Sequence, residues 1–185
     1  MNKGYPAMRS KFLNYLIFVS AVVILIAAVK VINWIPTVVQ KGSMREYASV
    51  DEVRSGLKIN DIYAPSYFPE SFKWPPNLII AQTKPFTAIV MEFKNARSGD
   101  TALMISQADL KEFSPGRKME IIHIKEEAHY TLKGRSALLQ VGVCRGNKTC
   151  SKLSWREGKC WINVVIKAPP FQVIKISESM IRKKD

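Results

Sequence analysis

The chain holds only two histidines and three cysteines in 185 residues, and no Asp or Glu precedes Glu46. Each scarcity removes a class of chemistry. No CxxC pair occurs, and His123 and His129 lie upstream of the cysteines without a matching spacing, so no zinc ligand set is present. CxxCH is missing, which removes covalent c-type haem. GxSxG, HExxH, the P-loop and GxGxxG are also absent. Pro115-Gly116-Arg117-Lys118 is a charged turn with a single glycine, not a phosphate cradle. The acids are sparse and scattered, so no carboxylate pair for glycoside hydrolysis stands out. His123, on an alternating strand, reads as a packed or surface residue. The sequence therefore predicts no catalytic residue, no metal and no cofactor, and a hydrolase with dispersed residues remains an alternative.

What the chain does hold is a long uncharged run. Phe12–Val29 reads FLNYLIFVSAVVILIAAV, eighteen residues. At ~1.5 Å per residue this approaches the ~30 Å of a bilayer core. Lys30 interrupts it, but VINWI resumes at Val31. The spacing predicts a transmembrane helix over 12–35, with Lys30 snorkelling to the headgroups, Trp34 at the interface and Pro36 ending it. The tail 1–11 carries Lys3, Arg9 and Lys11 and no acid, so the positive-inside rule puts it in the cytoplasm and the rest of the chain outside. A cleaved signal peptide is the competing reading, but the run exceeds a signal core and Ile26-Ala27-Ala28 makes a poor cleavage site. The expected organisation is a cytoplasmic tail, a signal anchor in the inner (cytoplasmic) membrane, a stalk over 36–46 and a periplasmic or extracytoplasmic domain over 47–185.

Charge is concentrated late. The chain has 28 bases against 15 acids, a net charge of +13. Between 133 and 167 stand Lys133, Arg135, Arg145, Lys148, Lys152, Arg156, Lys159 and Lys167, with Glu157 the one acid. Such a stretch is either a solvated face or a patch for an anionic partner: lipid headgroups, an envelope polymer or an acidic protein. An extracytoplasmic location excludes nucleic acid.

Within the domain, Ser49-Val50-Asp51-Glu52 fits a capping box that opens a helix to about Leu57. Ile59–Asn77 holds Pro65, Pro69, Pro75 and Pro76 among Tyr63, Tyr67, Phe68, Phe72 and Trp74. Proline withholds ladder donors, so this is an extended covering loop. Tyr67, Phe68, Phe72 and Trp74 either pack over the sheet or line a groove. Strands are expected at Leu78–Thr83, Phe86–Lys94, Thr101–Gln107, Met119–Lys125, Tyr130–Leu132, Ala137–Cys144, Cys150–Arg156 and Lys159–Lys167, with a closing helix at Phe171–Lys183. By alternation Cys144 and Cys150 share the more polar faces of two strands joined by RGNKT, where they stand opposite each other and close a hairpin disulfide. Cys160 falls with Ile162, Val164 and Ile166 and reads as a free core thiol. A turn at Glu157-Gly158 sets Trp155 opposite Cys160 and Leu153 opposite Ile162.

Three segments carry a family likeness: Tyr67-Phe68-Pro69-Glu70-Ser71-Phe72, Trp155-Arg156-Glu157-Gly158 and Ser177-Glu178-Ser179-Met180, in that order. Over about Tyr63–Ile181 the chain resembles the extracytoplasmic domain of single-pass bacterial anti-sigma-factor-like membrane proteins, of the RseB and lipoprotein-carrier type. Those proteins carry a cytoplasmic sigma-binding segment, which the eleven residues before Phe12 cannot supply. The resemblance implies a curved antiparallel sheet with helices against its concave side. The expected fold class is α+β: one transmembrane helix, then that sheet with a C-terminal helix packed on it. The expected function is a non-enzymatic, membrane-anchored binding or sensing module of the bacterial envelope. The alternative is an accessory subunit of a larger membrane complex that docks an acidic partner.

Overall fold

The computed structural model describes residues 13, 16–30, 44–72, 74–115 and 119–181. The chain divides into two compact units, Met1–Ser43 and Met44–Asp185. In the first, residues 16–30 form helix α1, whose side chains are exposed all round: Phe18, Ile24 and Leu25 are each about two-thirds accessible. The Ser20 hydroxyl folds back onto the carbonyls of Leu16 and Ile17. No helix among the described residues is long and apolar enough to cross a membrane. The rest of the expected anchor (12, 14–15 and 31–35), the tail 1–11 and stalk residues 36–43 lie outside the described residues.

The second unit is α+β. Its elements are β1 (Arg45–Tyr47), α2 (Val50–Leu57), β2 (Leu78–Gln82), β3 (Ala88–Lys94), β4 (Thr101–Ala108), β5 (Ile121–Leu132), β6 (Arg135–Cys144), β7 (Lys148–Glu157), β8 (Cys160–Ile166) and α3 (Pro170–Met180). The strands make one open sheet in the order β1-β2-β3-β4-β8-β7-β6-β5. Every neighbouring pair is antiparallel. The expected stalk ends early, because Arg45 and Glu46 already pair with Ala81 and Ile80. The two strands expected at Met119–Lys125 and Tyr130–Leu132 are one twelve-residue edge strand. Its register slips at Ile122 and Lys125. Such bulges bend an edge strand, and with the exposed Lys125, Glu126 and Glu127 they keep it from pairing with another chain.

Local chemistry sets the ends of the elements. Ser49 caps α2 by accepting from the Glu52 N–H at 3.1 Å, while the Glu52 carboxylate reaches back to the Ala48 N–H at 2.6 Å. This reciprocal pair satisfies two donors that a helix start leaves open. Pro170 opens α3, where a missing N–H does no harm. The last hairpin turns at Gly158-Lys159, so Trp155 faces Ile162 and Leu153 faces Val164. The expected turn at Glu157-Gly158 is thus displaced and the partners slip by two residues. Gly158 supplies the positive φ, +61°, that a II′-type hairpin places first.

The sheet is apolar on both faces. On the first, Ile79, Met91, Phe93, Leu103, Ile105, Leu153, Trp155, Ile162 and Val164 lie under α2, the loop 58–77 and α3. Gln107 fastens that loop: its side-chain oxygen accepts from the Tyr63 N–H at 3.0 Å and its NH2 donates to the Tyr63 carbonyl. Ser179, on α3, accepts from the Tyr67 N–H at 3.2 Å. Two buried groups on this face, Trp155 Nε1 and Ser177 Oγ, have no hydrogen-bond partner. The second face has a smaller core of Ala88, Val90, Met104, Ala108, Val165, Cys144 and Cys150, covered by Phe113 and Met119.

Gly142 lies where the bulged edge strand comes closest to β6. A Cβ there would meet the His123 carbonyl oxygen at 2.2 Å and the Ile121 methyl at 2.7 Å. Backbone cannot yield as a flexible side chain does. Gly142→Ala is therefore expected to destabilise the domain by about 1–3 kcal/mol, the usual range for overpacking. Thermal unfolding of the full chain checks it, and an unchanged midpoint contradicts the close approach.

Candidate functional site

The structure does not gather the eight late cations into one patch. Lys133, Arg135, Arg156 and Lys159 stand at the β5–β6 and β7–β8 hairpin end, while Arg145, Lys148 and Lys167 stand at the other. The ten residues of β7 separate the ends by about 30 Å. Several are already engaged. Arg135 makes two bonds to the Glu157 carboxylate, at 2.9 and 3.0 Å, and that pairing holds its pKa above the ordinary value. Lys133 donates to the Glu178 carbonyl and Lys167 to the Thr101 carbonyl. Lys148 stands 3.5 Å from Asp100, an exposed pair that contributes little. Arg156 donates to the Gly158 carbonyl and lies 6.0 Å from the Trp161 ring, which Lys111 also approaches. Lys152 is the exception, half-buried midway along β7.

The four aromatics of the covering loop act as cover. Phe72 is buried, and Phe68 packs on Phe93 at 5.1 Å and on Trp74 at 6.1 Å. Trp74 also lies 6.3 Å from Phe93, with half its surface exposed, and Tyr67 is exposed. None of them lines either cleft described below. The helix-bearing face packs against α2, this loop and α3, and no residue of α3 lines either cleft described below.

Cys144 and Cys150 are joined by a disulfide, with Cα atoms 5.8 Å apart. One expectation about it changes. The cysteines are diagonal and not directly opposite, since Cys144 faces Lys148 and Cys150 faces Gly142. They share the face of Gln140 and Lys152, as the alternation predicts, and both are fully buried there. Cys160 is free and half-buried at the margin of the first core. Burial first, then Asp109 and Asp61, push its pKa up to about 12, against a backbone hydrogen bond at Ala108.

Two clefts remain. One, of about 580 Å³, lies at the β7–β8 hairpin end beside Cys160, with Asp61, Asp109, Lys58 and Lys159 on its walls. Its charges are mixed, and no metal-ligating group of three or more occurs among the described residues. The other, of about 340 Å³, lies on the second face between the sheet and residues 111–115 and 119–120. Its apolar walls include Met104, Val165, Met119 and Ile124; its uncharged polar groups are Ser106, Ser114, Gln140 and Asn163, and its charged ones are Lys152, Lys111, Glu112 and Glu120. Register explains the arrangement: Met104, Val165, Lys152, Gln140 and Glu127 form one direct row across β4, β8, β7, β6 and β5. Burial lowers the Lys152 pKa, partly offset by the Glu120 charge. The sequence listed Lys152 as one base in a run and gave no sign of its isolation. That isolation comes from the strands on either side.

Comparison with protein-family models, with curated proteins and with solved structures finds no match to the chain.

Two outcomes follow from the cysteines. Reducing Cys144–Cys150 should lower the thermal stability of the full chain by ~2 kcal/mol, as loss of even a short closed loop does. An unchanged melting temperature after reduction, verified by mass, contradicts it. For Cys160 the ordinary thiol value is 9.0, so a pKa near 12 cuts the thiolate fraction at pH 8 by about a thousandfold. The greater nucleophilicity of the more basic thiolate recovers part of this, leaving reaction with Ellman's reagent on the order of 50-fold slower than in the unfolded chain. The native rate should climb as pH rises towards 12. Equal native and unfolded rates at pH 8 contradict the shielding.

Proposed function

We propose that the chain is a membrane-anchored binding module of the bacterial envelope, with its α+β domain on the extracytoplasmic side and no catalytic role. The observation that carries this reading is the Cys144–Cys150 disulfide, sealed in the second core with neither sulfur exposed. Structural disulfides persist where the surroundings are oxidising. The uncharged run Phe12–Val29 behind a basic tail supports an anchor that leaves the domain on that side. An α1 that is apolar on every side supports it too, since such a helix needs an apolar medium. The antiparallel sheet with a C-terminal helix on one face agrees with the resemblance to RseB-like outer domains.

A second reading, an accessory subunit of a larger membrane complex, is favoured by the cover that α2, the loop and α3 lay over the first face. On this reading a macromolecular partner docks on the outside of the domain. Exposed cations at the sheet ends, Arg145 and Lys159, suit an acidic protein or an anionic envelope component.

Crosslinking in native membranes followed by pull-down and mass spectrometry separates the two. A recurring set of membrane proteins supports the accessory subunit, with capture that weakens as salt shortens the screening length towards ~3 Å at about 1 M. The chain recovered alone with a small molecule supports the binding module. Recovery in the soluble cytosolic fraction with neither contradicts both.

A further inference from the structure

The second-face cleft contains an ammonium that makes no ion pair among the described residues, although Glu112 and Glu120 also stand on the cleft walls. Lys152 stands at the centre of the sheet with Val165 on one side and Gln140 on the other. Among the described residues no carboxylate lies within 4.0 Å of it, since the ion pairs present are Arg54–Asp51, Arg135–Glu157 and Lys148–Asp100. Glu127 shares its row but is two strands away, where Gln140 Nε2 holds it at 2.7 Å. Glu120 acts on Lys152 only at a distance. A half-buried ammonium in this position lowers the stability of the domain unless something anionic joins it. Every other cation of the 133–167 stretch that comes off solvent has a partner: Arg135 has Glu157 and Lys167 has the Thr101 carbonyl.

We propose that the Lys152 cleft binds a small carboxylate with a short apolar body, the carboxylate pairing with the Lys152 ammonium and the body lying on Met104, Val165 and Ile124. The proposal deepens the binding-module reading by naming a ligand class, and it rests on that reading. Three features select the class. Lys152 flanked by amides, with the cleft's other lysine, Lys111, lying over the Trp161 ring, suits a monoanion, whereas phosphate is held by arginine forks or rows of backbone N–H groups. Asn163 and Ser154 lie beside it, the Ser154 hydroxyl donating to Asn163 Oδ1 at 2.7 Å, so the polar end is narrow and already ordered. The volume, about 340 Å³, is at the small end of ligand sites and has no room for a two-chain lipid.

The test is calorimetric titration of the full chain in neutral-lipid nanodiscs with 3-phenylpropionate, 3-phenylpropanol and 3-phenylpropylamine, against empty nanodiscs. The expected result is a Kd below about 1 mM for the carboxylate, with the alcohol at least tenfold weaker and the amine not bound. Lys152→Gln should weaken the carboxylate by tenfold or more, and Arg156→Gln, on the same face but outside the cleft, should leave it within about twofold. The three-compound comparison uses the unsubstituted chain and stands even if Lys152→Gln does not fold. Equal binding of carboxylate and alcohol, full binding by Lys152→Gln, or no binding of the carboxylate up to about 10 mM each overturns the proposal. If it is overturned while a partner is captured from native membranes, the cleft is discarded and the module keeps a macromolecular partner. If neither a ligand nor a partner is found, the binding-module reading falls with it.

Discussion

The central strands β3, β4 and β8 carry buried apolar side chains on both faces, and the rest of the domain is arranged to cover them. Ile89, Met91 and Phe93 point one way while Ala88 and Val90 point the other, and all five are buried. A strand of this kind cannot sit on a surface, since each large apolar side chain left in water forgoes about 1.5–3 kcal/mol. The chain has three covering pieces for the first face, α2, the loop 58–77 and α3. For the second it has mainly the segment 109–120, with Phe113 and Met119 reaching down. Cover on the first side closes a core and leaves a cleft beside Cys160. Cover on the other leaves the Lys152 cleft.

The disulfide belongs to the same constraint. Cys144 and Cys150 lie where the second face is covered, beneath Met119, and tie β6 to β7 next to the edge strand. Between that crosslink and the hairpin end, Lys152 stands in a row that runs Glu92, Met104, Val165, Lys152, Gln140, Glu127 across the sheet. Binding chemistry on this domain is accordingly sought at the second-face cleft and at the sheet ends.

Local pattern carried much of this. The capping box at Ser49 and Glu52, the alternation through β3, the prolines of the covering loop and the Cys144–Cys150 pair are all short-range signals, and the structure contains each of them. What the sequence could not show depends on neighbours distant in the chain. The face bearing the cysteines is polar along its own strands, through Gln140, Lys152 and Ser154, and much of its apolar core, Val90, Met104 and Val165, comes from β3, β4 and β8. The last hairpin slipped by two residues, a shift that leaves every side chain on its own face, so alternation could not detect it. The run of eight cations looked contiguous because it is continuous in sequence, but two hairpin reversals send its members to opposite ends of the sheet.

The central claim is that this domain folds and works on the oxidising side of a membrane. Its most direct test is thiol trapping in intact cells: acid quench, denaturation without reductant, and alkylation with a maleimide of known mass. The account predicts a single alkylation, at Cys160, with Cys144 and Cys150 still joined. Alkylation of all three cysteines in freshly quenched cells would place the domain in a reducing compartment and contradict it.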